Sequence, residues 1–341
     1  MSWLEKHWAR YTPVSALLSP VSWFFQAASG LRRAGYRAGL LPSSRLAVPV
    51  IIVGNITAGG TGKTPLVLWL ASFLKSRGRS PGIVCRGYGG RQGAPCEVRA
   101  DSDPYRYGDE AVLLARRSGC PVWTGVDRPA AARSLLAANA CDVVLSDDGL
   151  QHYALARDLE ICVIDADRGL GNGWLQPAGP LREPAARLSE VDAVVVNGTD
   201  ASAASGSLAR KYNTTCLGMS LDPREFRNLL QADRRVEAGF FRGKRVHAVA
   251  GIGNPARFFG QLRKLKMEVE PHAFPDHHAF QASDLAFAGP DAIVMTEKDA
   301  VKCERFPSER CWVLSVDAMP DPALETVITS GLDAATRVVP R

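Results

Sequence analysis

"GNITAGGTGKTP" runs from Gly54 to Pro65, directly after the apolar stretch "LAVPVIIV" (Leu46–Val53). An apolar strand that breaks into glycines and restarts as a helix led by Lys-Thr is the pattern of a phosphate-holding loop. Glycines let backbone N–H groups turn inward around phosphate oxygens. Gly59, Gly60 and Gly62 provide that freedom, with Thr57 just before them and Thr61 between Gly60 and Gly62. Lys63 is spaced to reach β- and γ-phosphates, and the hydroxyl of Thr64 to ligate Mg²⁺. Pro65 suits the first turn of the following helix, where its missing N–H costs little. The strict pattern wants glycine where this chain has Thr57, although Gly54 lies nearby. The competing reading is a glycine-rich turn without a ligand.

Working outward, apolar strands alternate with helical stretches. "VPVIIVGN" leads into "KTPLVLWLASFLKSRG", and "SPGIVCRGYGG" reads as a strand and loop. "GDEAVLLARRSG" and "RPAAARSLLAANA" are helical in period; "CPVWTG", "CDVVLSDDG", "EICVIDADRG" and "VDAVVVNGTD" are strands. A β-α-β rhythm with fully apolar strands implies a parallel sheet covered on both faces. The fold class is therefore α/β, a P-loop NTPase-like parallel sheet. The pattern restarts after about residue 221: "GKRVHAVAGIGNPARFFGQLRKL" reads as strand, turn and helix, and "MEVEPHAF", "AIVMTEKDAVK" and "CWVLSVDAM" as strands. The expected organisation is an N-terminal membrane-interface helix (1–40), a P-loop domain (41–220), a smaller α/β domain (221–325) and a tail (326–341).

The chemistry-bearing residues cluster at strand ends. "VVLSDDGLQH" ends an apolar strand in Asp147-Asp148, a pair suited to orienting a magnesium shell. A strand-end turn capped by aspartate is the alternative. His152 follows closely and by itself reads as structural. In "YGDEAVLLA", Asp109 and Glu110 can simply cap a helix. In "FPDHHAF", Asp276, His277 and His278 sit on a loop; an Asp–His pair can tune a general base, and a plain loop is the alternative. "GIGNPA" (251–256) matches a dinucleotide fingerprint only loosely, and "VVVNGTD" lacks the lysine of a guanine-reading motif, which favours ATP over GTP.

Composition narrows the partners. The 341 residues are 46% hydrophobic and 22% charged, with a net charge of +6, ordinary for a globular protein and mildly basic. No zinc-finger spacing or RNA-binding aromatic signature accompanies that charge, so nucleic acid is not an expected partner. The eight scattered cysteines form no Cys-x-x-Cys pair and read as free thiols in a reducing compartment. From Thr12 to Leu31, "TPVSALLSPVSWFFQAASGL" carries no charge and precedes Arg32, Arg33 and Arg37. Its serines and Pro20 disfavour a spanning helix. An interfacial helix fits better, with a core helix as the alternative.

Taken in order, "VGN…GGTGKTP", "CRGYGG", "GDEAVLLA", "SDDGLQH", "PAGPLREP", "AGIGNPARFF", "FPDHH" and "MTEKDAVK" closely resemble the tetraacyldisaccharide 4′-kinase family of lipid A biosynthesis. The resemblance runs to about residue 303, and within that family Thr57 is no departure. It implies ATP- and Mg²⁺-dependent transfer of the γ-phosphate to the 4′-hydroxyl of a tetraacylated disaccharide 1-phosphate, giving lipid IVA. It implies Lys63 and Thr64 as the phosphate and magnesium pair, with Thr57, Gly59, Gly60, Thr61, Gly62 and His152 at the nucleotide. Asp147 and Asp148 fall at the metal-associated carboxylates, Asp109 and His277 at a proton-abstracting pair. Arg86, Tyr88, Arg182 and Glu183 fall where lipid substrate is handled. The implied partner is the lipid A disaccharide precursor at the cytoplasmic face of the inner membrane, with no protein partner. A soluble P-loop NTPase switch or metallochaperone is the second class, distinguished by its phosphate acceptor and by the role of residues 1–40.

Overall fold

The computed structural model describes residues 4–90, 93–198, 200–306 and 308–338, with residues 337 and 338 by backbone alone. The end of the expected C-terminal tail, 339–341, lies outside the described residues. The N-terminal half contributes strands β1 (Val50–Gly54), β2 (Pro81–Cys85), β3 (Cys96–Val98), β4 (Val122–Thr124), β5 (Val143–Asp147), β6 (Leu159–Asp165) and β7 (Ala193–Asn197). A long strand β8 (Cys216–Asn228) and a short β9 (Arg235–Val236) follow, then β10 (Arg245–Ala250), β11 (Glu268–Ala273), β12 (Ala292–Thr296) and β13 (Cys311–Pro320). They join one sheet in the order β11-β10-β12-β13-β8-β7-β6-β1-β5-β2-β4-β3, with β9 beside β8. Pairing is parallel throughout except at β8–β13, β8–β9 and β3–β4.

Strand β8 is the seam between two parallel arrays. It runs parallel to β7 on one side and antiparallel to β13 on the other. Its sequence, "CLGMSLDPREFRN", is not fully apolar, and its burial is mixed because it crosses from one array to the other. The register slips at Ser315/Val316 opposite Glu225 and Pro223. A proline cannot donate to the ladder, so a bulge is where a strand tolerates it. Each array is sandwiched by its own pair of apolar clusters. Leu66, Leu70 and Leu114 belong to the cluster on one face of the first array, and Ile52, Leu135 and Leu188 to that on the other. Phe241, Phe258 and Leu262 belong to one cluster of the second array, and Phe280, Met295 and Val313 to its other.

Nine α-helices lie among the described residues: α1 (Pro13–Arg37), α2 (Lys63–Ser76), α3 (Pro104–Tyr107), α4 (Asp109–Ser118), α5 (Arg128–Ala138), α6 (Ala201–Tyr212), α7 (Pro255–Lys264), α8 (Glu297–Cys303) and α9 (Ala323–Val338). The stretch "AIVMTEKDAVK" differs from its expectation as a strand throughout. Its strand stops at Thr296, whose hydroxyl accepts from the Asp299 N–H and starts α8 as an N-cap.

Helix α1 has inverted amphipathicity. It begins in a reciprocal Thr12–Ser15 capping box. Its buried face is serine: Ser15, Ser19 and Ser22 are buried, and the Ser22 hydroxyl donates to the Leu175 carbonyl at 2.8 Å and accepts from the Ala178 N–H at 2.9 Å. The apolar side chains point outward, with Leu17 at 81%, Trp23 at 65% and Phe24 at 77% exposure. The core-helix reading of this segment therefore fails, since a core helix buries these groups. Among the described residues no helix is long and apolar enough to cross a membrane.

Candidate active site

The glycine-rich loop leaves the carboxyl end of β1 and feeds α2. Gly59 and Gly62 have φ of +90° and +95°, the left-handed region that favours glycine. A Cβ on Gly62 would lie 2.3 Å from Asn197 Nδ2, whose amide donates to the Thr61 carbonyl at 2.9 Å. Asn197 at the end of β7 thus shapes the loop from the neighbouring strand. Thr57 is buried and bridges to Leu181, so it anchors the loop's entry. Gly60 to Pro65 line a cavity of about 190 Å³, closed on the far side by Asn254, Arg257, Gln261 and Lys298 of the second array. The "GIGNPA" turn is part of this enclosure. A Cβ on Gly253 would lie 2.2 Å from the Gly60 nitrogen, so glycine permits backbone to meet backbone here.

A second, larger cavity of about 700 Å³ opens beside the first. Arg86, Tyr88, Asp147, Asp148, His152, Arg182 and Glu183 line it, together with Phe25, Arg32 and Arg33 of α1. His152, expected with the nucleotide, lines this cavity and not the glycine-rich one. Burial and then the positive field of Arg128 and Arg86 push its imidazole down to about 4, so it is neutral at physiological pH.

Asp147 and Asp148 end β5 in contrasting states. Asp148 sits at φ +51° and is gripped by Lys63 Nζ at 3.3 Å and Arg182 Nη1 at 3.1 Å. Burial would raise its carboxyl, but Lys63 and Arg182 outweigh that and hold it below the usual carboxylate range. Asp147 is raised well above that range by burial and by the neighbouring Glu110 and Asp148 charges, against Lys63 and Arg128. Its Oδ1 is buried without a hydrogen-bond partner among the described residues. Arg128, buried behind it, donates to the Asp147 carbonyl at 3.0 Å and fixes the strand end.

Asp109 and His277 come together from opposite arrays. His277 Nδ1 lies 2.9 Å from Asp109 Oδ1 and 3.1 Å from Oδ2, and Lys302 Nζ lies 3.2 Å from Oδ2. Asp109 is not a helix cap: it is the first residue of α4, and its Oδ1 accepts from the Glu110 N–H at 2.8 Å. The neighbouring Asp276 is a looser partner of His277: its Oδ1 accepts from the His277 backbone N–H at 3.1 Å and lies 3.8 Å from the ring Nε2. It pairs with Lys298 at 2.9 Å, as does Glu110. Burial pushes the Asp109 carboxyl up, yet the His277 hydrogen bond, Lys298 and Lys302 bring it down to about 2. His277 therefore orients Asp109 and does not raise its basicity. The Tyr88 ring packs 4.7 Å from the His277 ring.

Glu183 lines the second cavity with its oxygens already engaged: Gln151 donates to one at 2.8 Å and the Tyr153 hydroxyl to the other at 2.6 Å. It braces the wall. Several further participants were given no role by the sequence. Glu110 lines both cavities, Lys298 bonds Glu110, Asp276 and His277 at once, and Arg168 donates to the Gly60 carbonyl over the loop. Only the placement of Glu110 next to Asp109 hinted at any of these.

A glycine-cradled lysine held against a strand-end carboxylate, on a parallel sheet with a second array facing it, defines a P-loop phosphotransferase. Residues 14–333 match the family described as tetraacyldisaccharide-1-P 4′-kinase. The tetraacyldisaccharide 4′-kinase of Methylobacillus flagellatus is 50% identical over 331 residues, covering 97% of this chain and 96% of that protein. That of Alkalilimnicola ehrlichii is 51% identical over 335 residues, covering 97% of each. Among solved structures, LpxK from Aquifex aeolicus in complex with ATP matches with a TM-score of 0.76 and 25% identity, covering 94% of this chain and 99% of that one. The chain belongs to the tetraacyldisaccharide 4′-kinase family and is an ATP-binding kinase of lipid A biosynthesis.

Proposed function

We propose that the two cavities divide the reactants of this family's reaction, in which the γ-phosphate of ATP passes to the 4′-hydroxyl of tetraacyldisaccharide 1-phosphate to give lipid IVA. The glycine-rich cavity takes ATP, and the larger cavity takes the acceptor's sugar-phosphate headgroup. The observation that carries this is the boundary between them: Lys63 lines the first cavity, Asp148 the second, and the two side chains meet at 3.3 Å.

Gly59, Gly60, Thr61 and Gly62 direct backbone N–H groups at the phosphates, and Lys63 balances their charge. Thr64, Asp147 and Asp148 would hold Mg²⁺. The orphaned, buried Oδ1 of Asp147 suits that ion, because a carboxylate oxygen with no donor is costly to bury without a cation. When bound, Mg²⁺ neutralises charge on the phosphate oxygens. Asp109 accepts the hydrogen bond of the attacking hydroxyl and then its proton. A carboxyl near 2 is a weak base, but phosphoryl transfer is largely dissociative, so orienting the nucleophile matters more than basicity. His277 and Lys302 hold Asp109 in place. Arg32, Arg86 and Arg182 give the second cavity the positive field that a phosphorylated headgroup needs.

The outward apolar face of α1 lies on the membrane surface, where an acceptor with four acyl chains resides. Because α1 also lines the second cavity, headgroup and chains can be handled together. Use of ATP supports work at the cytoplasmic leaflet. Labelled γ-phosphate from Mg-ATP should appear in detergent-dispersed tetraacyldisaccharide 1-phosphate and vanish with Lys63→Ala. Label released only as free phosphate would instead indicate an NTPase switch.

A further inference from the structure

Outside both cavities, at the edge of the second array, two imidazoles and a carboxylate converge. His247 on β10 and Glu270 on the edge strand β11 are register partners, and His272 stands two residues further along β11. Side chains two apart on a strand share a face, and parallel pairing brings His247 to that same face. His247 Nδ1 lies 3.1 Å from His272 Nε2 and 3.6 Å from Glu270 Oε2, and His272 Nε2 lies 3.8 Å from Glu270 Oε1.

We propose that His247, Glu270 and His272 form a binding site for a divalent transition metal of the zinc class. Three ligands of a tetrahedral zinc, each about 2.0–2.2 Å from the ion, stand ~3.3–3.5 Å from one another. The two imidazole nitrogens stand 3.1 Å apart, and the three residues offer ligand atoms all within 4.8 Å of one another, so an ion fits with a rotation of the Glu270 carboxylate. Two imidazoles and one carboxylate form a donor set that suits zinc and disfavours magnesium, which prefers oxygen ligands in octahedral geometry.

The surroundings preset the ligands. The Phe287 ring packs against both imidazoles, with centroids 4.4 Å from His247 and 4.2 Å from His272. Arg245 holds Glu270 Oε2 at 2.5 Å, orienting the carboxylate while Oε1 stays available. Arg245 is in turn shared with Asp291 at 3.5 Å. His247 is buried, whereas the side chains of His272 and Glu270 are 23% and 40% exposed, so the fourth position opens to solvent. The alternative is a metal-free pair sharing one N–H···N hydrogen bond. A bound ion would clamp β11 to β10, the strand followed by the Gly251–Asn254 turn.

The test uses the full chain, stripped with chelator and free of nucleotide. Co²⁺ is titrated in excess Mg²⁺, which occupies oxygen sites, and the visible d–d bands are read before displacement with Zn²⁺. The wild type should bind one equivalent with intense, tetrahedral-type bands and gain thermal stability with Zn²⁺. His272→Ala and Glu270→Gln should each weaken binding at least as much as the roughly 10–100-fold lost with an outer-shell partner, and lose the thermal gain. Glu270→Gln keeps shape and decides the matter if His272→Ala misfolds. Absence of a one-equivalent site in the wild type, or undiminished affinity in the variants, would overturn the proposal.

Discussion

Replacing His277 by alanine removes the ring nitrogen 2.9 Å and 3.1 Å from the two oxygens of Asp109. In the folded protein that carboxyl is at about 2 against an ordinary 3.8, a difference of about 1.8. This corresponds to ~2.4 kcal/mol favouring the ionised form, an order-of-magnitude figure. A depressed carboxyl stabilises the fold above its unfolded value of 3.8, and that contribution is lost as pH falls through 2. With His277 gone, burial is opposed chiefly by Lys298 and Lys302, so the Asp109 pKa climbs. The acid limb of kcat should then move up by about 1–2 pH units. At neutral pH the carboxylate is still ionised, so the loss there reflects positioning. It should be about 10–100-fold, part of the ~10²–10⁴ that a positioned proton acceptor contributes. The assay is kcat against pH with labelled ATP and saturating dispersed acceptor, beside urea melts at neutral pH and near pH 3. An unchanged acid limb together with an unchanged kcat would refute the reasoning.

Two further outcomes test the placement of α1. Leu17→Glu with Phe24→Glu should abolish flotation with anionic vesicles: two exposed apolar side chains at about 1.5–3 kcal/mol each correspond to more than ~100-fold in partition. Unchanged flotation would remove the apolar face from membrane binding. Ser22→Ala strands the Leu175 carbonyl and the Ala178 N–H. It should cost about 1–3 kcal/mol in denaturant melts, and a neutral result would mean that α1 docks by other contacts.

The first array is the part most legible in the sequence, because its central strands are largely apolar and its loop is written in glycine. Asp147 and Asp148 were visible as a strand end. Strand β8 was not, because a strand that joins two arrays is buried unevenly and carries Asp222, Pro223, Arg224 and Glu225 in its middle. The Asp109–His277 pair spans 168 positions, so no local spacing encodes it, and the nearer Asp276 makes only a looser ring contact at 3.8 Å. Glu110 and Lys298 lie within the quoted "GDEAVLLA" and "MTEKDAVK", but neither stretch shows which walls they share. In α1 the apolar period was evident. Which face it would present was decided by Ser15, Ser19 and Ser22, whose spacing of four and three puts them on one side of a helix.

The central claim is that Asp109 receives the hydroxyl while Lys63 and its loop hold ATP. It is tested most directly by single-turnover transfer of labelled γ-phosphate in Asp109→Asn, with ATP affinity measured on the same preparation and Glu110→Gln run alongside. The expected result is ATP binding within a few-fold of wild type, transfer reduced at least ~100-fold in Asp109→Asn, and a smaller loss in Glu110→Gln. Near-normal transfer in Asp109→Asn with abolition in Glu110→Gln would contradict it. The proton acceptor would then be Glu110, the carboxylate that lines both cavities.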